Sequence, residues 1–138
     1  MEIAKKKEFL SQYRAIKRQI KRIELYIEEI RESETSISIK YDDMPHAHNK
    51  TDLSDYVAKV DEKLMKLMEL KDKKADLLDT IMNAVNGMED EAEKDVIVYR
   101  YIREMSWEDI ANNIGYSVKQ TCRIHGNALE HIELGEDI

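Results

Sequence analysis

The chain has 138 residues, of which 37% are charged and 7% aromatic, with one proline and four glycines. This length suits one compact domain or two small modules, and the composition favours amphipathic helices with solvated outer faces. No apolar run approaches the roughly 20 residues of a membrane span, and the first ten residues lack the apolar core of a secretory signal. The single cysteine, Cys122, excludes an internal disulfide. We therefore expect a cytoplasmic, all-α protein that does not contact a membrane.

The net charge of −7 is distributed unevenly along the chain. Residues 1–33 carry 9 Lys and Arg against 6 Asp and Glu, whereas residues 88–138 carry 5 against 12. Phosphate contacts supply much of the affinity of DNA-binding proteins, so the acidic C-terminal part alone is expected to bind DNA weakly. A solvated outer face is the more common explanation for the basic residues of the first helix. They also form a candidate auxiliary surface for DNA or a partner, consisting of Lys17, Arg18, Lys21 and Arg22.

Two long helices, residues 3–31 and 53–86, are predicted from apolar residues that recur at steps of three and four, the spacing of a coiled-coil seam. The first seam consists of Leu10, Tyr13, Ile16, Ile20, Ile23, Ile27 and Ile30. The second consists of Leu53, Val57, Val60, Leu64 and Leu67, weakens across Lys71 and Lys74, and resumes at Leu78, Met82 and Val85. Neither helix can bury its stripe alone. We therefore expect an antiparallel hairpin, with the stripes as its core or as a dimerisation seam.

The connector between these helices, about residues 34–51, is long for a helical hairpin. Residues 36–41 alternate like a short strand, and residues 44–49 read as irregular chain. Thr51 or Asp52 is expected to cap the second helix, and Gly87 to end it with a left-handed residue. His46 and His48 lack further clear ligands, so we predict no metal site and no cofactor. Residues 1–87 are thus expected to form a hairpin domain for oligomerisation or partner contacts.

Residues 88–138 are expected to form a separate domain of three shorter helices, at about 90–103, 107–114 and 118–134. Ser106 and Ser117 each precede an acidic or amide residue by three positions, as in a capping box. Gly115 supplies a residue that accepts positive φ in a sharp turn, and Ala111 a small side chain where two helices cross. This combination is the signature of a helix-turn-helix. The apolar positions that frame it are Trp107, Ile110, Ile114, Ile124 and Ala128.

The second helix of such a motif enters the major groove with its N-terminal end foremost. Arg and Lys donate hydrogen bonds to guanine, Gln pairs with adenine, and a helix N-terminus can hold a phosphate. His125 is interpreted as a packing or phosphate-contacting residue, and Cys122 as an ordinary half-exposed thiol. The residues predicted to contact DNA are Ser117, Val118, Lys119, Gln120, Arg123 and Asn127.

The runs Tyr99–Arg103, Ser106–Ala111, Gly115–Ser117 and Arg123–Leu129 resemble region 4 of bacterial sigma factors, which recognises a promoter element and touches RNA polymerase. Over residues 35–134, the chain more closely resembles the ArpU/RinA-like regulators of phages and prophages of Gram-positive bacteria. The resemblance implies double-stranded promoter DNA and host RNA polymerase as partners, in the bacterial cytoplasm. It also implies activation of late phage genes. Since no sigma region 2, which melts the promoter in a full sigma factor, is recognisable, we expect an activator or a partial sigma-like factor that works with polymerase.

Thr121 departs from the helix-turn-helix pattern, since it occupies an inward site where Val or Ile is usual. Its hydroxyl is expected to bond back to the carbonyl of Ser117. No constellation of catalytic residues is recognisable, so we do not expect an enzyme. Two alternatives to a regulator stay open: a small-terminase-like packaging factor, and a helical interaction module that does not bind DNA. The sequence also leaves open a homodimer or higher oligomer, the target site and the sign of regulation.

Overall fold

The computed structural model describes residues 1–42 and 49–135, with side chains described for residues 1–33 and 53–135. Within these ranges the chain forms helices and no strand, which confirms the expected all-α class. No helix in the described part is both long and apolar enough to cross a membrane. The helices are α1 (Ile3–Asp42), α2 (Asn49–Asn86), α3 (Glu91–Ile97), α4 (Trp107–Ile114) and α5 (Val118–His131), with a π-helical turn at Val98–Ile102.

Both long helices extend further than the sequence pattern predicted. α1 continues to Asp42, so residues 36–41 are helical and their interpretation as strand-like is wrong. Alternation over only six residues is a weak signal, because the same residues also place Ile37 and Tyr41 four apart, as a helix requires. α2 begins at Asn49, which places the predicted caps, at residues 51 and 52, inside the helix. Residues 43–48, including His46 and His48, for which no metal site was predicted, lie outside the described residues.

The chain divides into two compact units, one formed by Met1–Ile16 with Lys74–Ile138 and the other by Lys17–Lys73. The first unit therefore contains the start of α1 and the end of α2 together with the shorter C-terminal helices. The predicted division of roles between residues 1–87 and 88–138 stays a prediction.

In the Lys17–Lys73 unit the seam of α1 is confirmed, with Ile20 and Ile27 buried. The seam of α2 is confirmed at Val60 and Leu67, but Leu53 and Val57 are about half exposed. Beyond Leu67 the apolar contact continues through a buried residue absent from the predicted seam, Leu70. A step of three from Leu67 reaches Leu70, whereas a step of four reaches Lys71. The seam shifts at this point and does not weaken.

In the other unit, one large core joins the start of α1 to the end of α2 and to the C-terminal helices. The start of α1 packs beside the end of α2, as an antiparallel hairpin requires. Full burial of a Val, Leu, Ile, Phe or Met side chain in this core contributes roughly 1.5–3 kcal/mol to the free energy of unfolding. The core residues are Phe9, Leu10, Tyr13, Ile81, Val85, Met88, Ile97, Ala128, Leu129, Ile132 and Leu134.

The end of α2 differs from the prediction. Gly87 is not left-handed, since the described glycines with positive φ are Gly115 and Gly135. The Gly87 N–H instead donates to the carbonyls of Asn83 and Ala84, both at 3.2 Å. The chain then tightens, because the N–H of the buried Met88 donates to the Val85 carbonyl at 3.0 Å. Burial of Met88 in the core therefore directs the chain out of the helix without a left-handed residue.

Candidate nucleic-acid interface

The predicted helix at 90–103 is interrupted in the structure. Asp90 caps the start of α3, since its carboxylate accepts a hydrogen bond from the Glu93 N–H at 2.9 Å, and α3 ends at Ile97. The following π-helical turn closes with the Arg103 N–H donating to the Val98 carbonyl at 3.1 Å. Side chains of this turn pack on two clusters: Val98, Tyr101 and Ile102 on the large core, and Tyr99 on a smaller one formed by Val96, Ile110 and Ile124. Periodicity alone gives no signal for such a local change of winding.

α4 and its turn have the predicted geometry. The Ser106 hydroxyl caps the helix by accepting from the Asp109 N–H at 3.2 Å. Gly115 ends it at φ 77° and ψ 29°, and the Gly115 N–H donates to the Ala111 carbonyl at 2.9 Å. This φ strains a residue that carries a Cβ, which explains the glycine. Ala111 is buried, as expected of a small residue where two helices cross.

α5 begins at the second predicted cap, where the Ser117 hydroxyl accepts from the Gln120 N–H at 3.1 Å. Thr121 is fully buried, and its hydroxyl donates to the Ser117 carbonyl at 2.8 Å. The predicted back-bond of Thr121 is therefore confirmed. α5 ends at His131, three residues before the predicted end, because Ile132 takes an extended conformation with φ −67° and ψ 134°. This extended segment still buries Ile132 and Leu134 in the large core.

All six residues predicted to contact DNA are exposed to solvent. Lys119, Arg123 and Asn127 follow one another at steps of four, so they share one face of α5. Within the part of the chain that the structure describes, none of these three side chains takes part in an ion pair or hydrogen bond. An α-helix presents donors of this kind to guanine when it lies in the major groove. The exposed Tyr116, which the sequence reasoning did not select, directly precedes the Ser117 cap.

An aromatic cluster supports α4 and α5 from within the same unit. The Tyr101 hydroxyl and His125 Nε2 share a hydrogen bond of 2.7 Å, and the ring centroids of Trp107 and His125 lie 4.8 Å apart, edge to face. The Arg100 guanidinium lies 4.3 Å from the Trp107 ring centroid and donates to the Met105 carbonyl at 3.0 Å. Trp107 is thus the expected anchor, although it is only partly buried.

Burial lowers the pKa of His125 to about 4, and the positive charges of Lys7 and Arg100 lower it in the same direction. Burial raises the pKa of Tyr101, which the charge of Arg100 partly opposes. Both side chains are therefore neutral near pH 7. Their contacts fit the packing role that the sequence predicted as one of two roles for His125.

A small basic pocket that the sequence reasoning missed adjoins this cluster. It has a volume of about 240 Å³. Arg14 forms an ion pair with Glu104, with 3.0 Å between Arg14 Nε and the carboxylate. The sequence signal was the spacing of Lys7, Ser11 and Arg14, at steps of four and three on one face of α1. The residues that line the pocket are Lys7, Ser11, Arg14, Arg100, Tyr101, Trp107 and His125.

The auxiliary basic residues predicted on α1 belong to the Lys17–Lys73 unit. Arg18, Lys21 and Arg22 are exposed there, and Lys17 is partly buried. Among the described residues, no group of three or more His, Cys, Asp and Glu side chains is placed to hold a metal ion.

The capped helices, the glycine turn and the exposed face of α5 define a helix-turn-helix domain, the class that presents its second helix to DNA. Residues 90–133 match the family described as Sigma-70, region 4. The chain therefore carries a DNA-binding helix-turn-helix domain similar to sigma region 4. No curated protein matches the chain, and no solved structure matches it.

Proposed function

We propose that the protein is a sequence-specific DNA-binding regulator of transcription that acts with bacterial RNA polymerase in the cytoplasm, as an activator of phage or prophage late genes. The observation that carries the proposal is the exposed N-terminal face of α5 within a domain that matches Sigma-70, region 4. The phage setting comes from the resemblance to the ArpU/RinA-like regulators.

Recognition would centre on the N-terminal half of α5. Arg123 reaches the edge of guanine, and Gln120 pairs with adenine, because their donors and acceptors match those base edges in the major groove. Lys119 and Asn127 flank these two residues on the same exposed side of the helix. Ser117 and the first N–H groups of α5 hold a backbone phosphate, since a helix N-terminus favours anions.

The basic pocket supports DNA binding by a domain that is otherwise acidic. Lys7 and Arg100 both line it, and Lys7 lies on a helix outside the matched residues 90–133. Phosphate contacts provide affinity without sequence preference. The start of α1 would therefore add affinity, while α5 would supply specificity.

The hairpin would serve for oligomerisation or partner contacts, with a homodimer or a higher oligomer as the active form.

Contact with RNA polymerase is proposed from the similarity of the C-terminal domain to sigma region 4, since region 4 of sigma factors touches polymerase. A pull-down with purified bacterial core polymerase tests this part of the proposal. Retention of the wild-type protein is expected, and a wild-type protein that is not retained would overturn the polymerase contact.

The DNA-binding proposal is tested by selecting bound sequences from a random duplex library and measuring affinity for the selected site by fluorescence anisotropy. Arg123→Ala is expected to weaken specific binding about 5- to 100-fold and to relax preference at one base pair. Arg103→Ala is the matched control, since Arg103 is also exposed but lies before the motif. No enrichment by the wild-type protein would overturn the proposal, and unchanged preference in Arg123→Ala would overturn the assigned contact.

A further inference from the structure

One face of α1 within the Lys17–Lys73 unit carries two blocks of opposite charge. Lys17 and Lys21 are followed by Glu24, Glu28 and Glu32, at steps of four, three, four and four. Residues at these steps lie on one face of an α-helix. We refer to these five residues as the charge stripe.

The charge stripe borders an apolar groove on the hairpin surface. The groove has a volume of about 460 Å³, and three carboxylates, Glu24, Glu28 and Glu32, lie along it together with one cation, Arg31. Ile27 of α1 with Leu64 and Leu67 of α2 provide its apolar lining. An open apolar groove beside carboxylates is suited to a helix that brings both apolar and basic side chains.

α2 continues this apolar surface. Met65 and Met68 are 71% and 67% exposed, and Val57 is 48% exposed. Leu64 follows Val57 by seven residues and precedes Met68 by four, so all three lie on one side of the helix. Methionine side chains adapt readily to a partner surface, so exposed methionines beside an apolar groove are suited to an interaction site.

We propose that the occupant of this face is a second copy of the same chain, docked antiparallel so that the two hairpins form a four-helix arrangement. A two-fold axis that crosses α1 midway between Lys21 and Glu24 places Lys21 of one protomer opposite Glu24 of the partner subunit. Two-fold symmetry repeats this pair, so each pairing occurs twice.

The same two-fold axis also passes close to an exposed apolar residue of α2, Met68. Leu64 and Leu67 line the groove beside Ile27, and α2 runs opposite to α1. The midpoint between Lys21 and Glu24 lies about one turn before Ile27 on α1. Because the two helices run in opposite directions, the level of this midpoint on α2 lies about one turn after Leu64 and Leu67, which is within about one turn of Met68. The two Met68 side chains thus meet near the axis, where charged residues flank an apolar centre.

The charge order selects this occupant and this orientation. A parallel copy would set Glu24 and Glu28 opposite their own equivalents, and like charges across an interface disfavour association. The antiparallel copy needs no residue outside the described hairpin. The inference rests on the proposed role of the hairpin in partner contacts and is independent of DNA binding.

The test is a charge reversal measured by sedimentation equilibrium at about 50 mM salt, where screening is weak. Lys21→Glu and Glu24→Lys are each expected to raise the dimer dissociation constant at least about tenfold, because each substitution creates two like-charge pairs. The double variant K21E/E24K restores opposite charges and is expected to bind within about threefold of wild type. Arg22→Glu, with the same charge change on another face of α1, is the matched control and is expected to leave the dimer unchanged.

Met68→Lys tests the apolar centre, since it sets two cations near the axis while changing an exposed side chain that the fold does not need. Loss of the dimer in this variant is expected. A wild-type protein that stays monomeric would overturn the inference, as would a dimer that none of these substitutions weakens, or a double variant that is not restored. DNA affinity is measured on the same samples, so failure to dimerise with intact DNA binding is distinguishable from failure of the proposed function.

Discussion

The ammonium group of Lys6, in the first turns of α1, lies 2.8 Å from the carbonyl oxygen of Leu129, near the end of α5. It also donates to the Glu130 carbonyl at 3.1 Å, and Lys6 is only 8% exposed. The last carbonyls of a helix lack partners within the helix, and a cation is favourable at that end. Lys6 therefore caps α5 and ties the start of α1 to the domain that carries the helix-turn-helix.

Lys6→Met is expected to lower the free energy of unfolding by about 1.5–3 kcal/mol, because the substitution keeps the apolar stem and removes charge-assisted hydrogen bonds to two carbonyls. Urea unfolding followed by circular dichroism measures this change. Lys5→Met, at an exposed neighbouring position, is the control and is expected to change stability by less than about 0.5 kcal/mol. Equal stabilities of the two variants would contradict the capping role.

The sequence predicted the elements whose signals are local. Ser106, Gly115 and Ser117 each act through atoms a few residues away, so the bounds of α4 and the start of α5 were correct. Lys6 shows why the rest was not predictable. Its partners lie more than 120 residues along the chain, and no periodicity marks a lysine that is to be buried.

The hairpin shows the same limit in another form. A spacing of three or four residues leaves a choice at each step, and only packing decides between Leu70 and Lys71 as the next residue of the seam. On α5 the exposure of the residues predicted to contact DNA was predictable, because it follows from their positions within the motif. Its basic pocket combines Lys7 with Arg100 and needed the tertiary structure.

Substitution by alanine is expected to lower the free energy of unfolding at one glycine of the helix-turn-helix and to raise it at another. Gly115→Ala is expected to destabilise the protein by about 1–2 kcal/mol, because φ at Gly115 is 77° and a Cβ is disfavoured there. Gly126→Ala is expected to stabilise it by about 0.5–1 kcal/mol. Gly126 lies inside α5, and a Cβ there meets no atom within 4 Å. Chemical denaturation of both variants measures the two signs, and a stabilising Gly115→Ala would refute the role of the left-handed turn.

The free energy of unfolding is expected to decrease as the pH is lowered, because His125 titrates. The pKa of His125 is about 4 in the folded chain, below its ordinary value of 6.5, so between these values the unfolded chain binds a proton that the folded chain does not. The contribution of neutral His125 is therefore fully present above about pH 6.5 and is lost as pH falls toward 4. Lys7, Arg100 and Tyr101 face the imidazole, and two of them are positive.

His125→Gln tests this dependence because glutamine does not titrate in that range. The loss of stability between about pH 7 and pH 5 is expected to be smaller in the variant by about 1–2 kcal/mol, after allowance for partial exposure of the ring. The comparison uses the difference between the two pH values, so any loss of packing at neutral pH cancels. A variant with the same pH dependence as wild type would show that other groups control acid stability.

Lys7 is expected to contribute to DNA affinity without contributing to sequence preference. It lines the basic pocket together with Arg100, in an otherwise acidic unit, and each phosphate contact raises the salt dependence of binding. Lys7→Gln is expected to weaken binding to selected and random duplexes by similar factors. It should also reduce the slope of log affinity against log salt by about one. Lys5→Gln removes the same charge from α1 at a residue outside the pocket, so anisotropy titrations at several salt concentrations should give it the wild-type slope. A selective loss of specific binding in Lys7→Gln would instead place Lys7 among the base-reading residues.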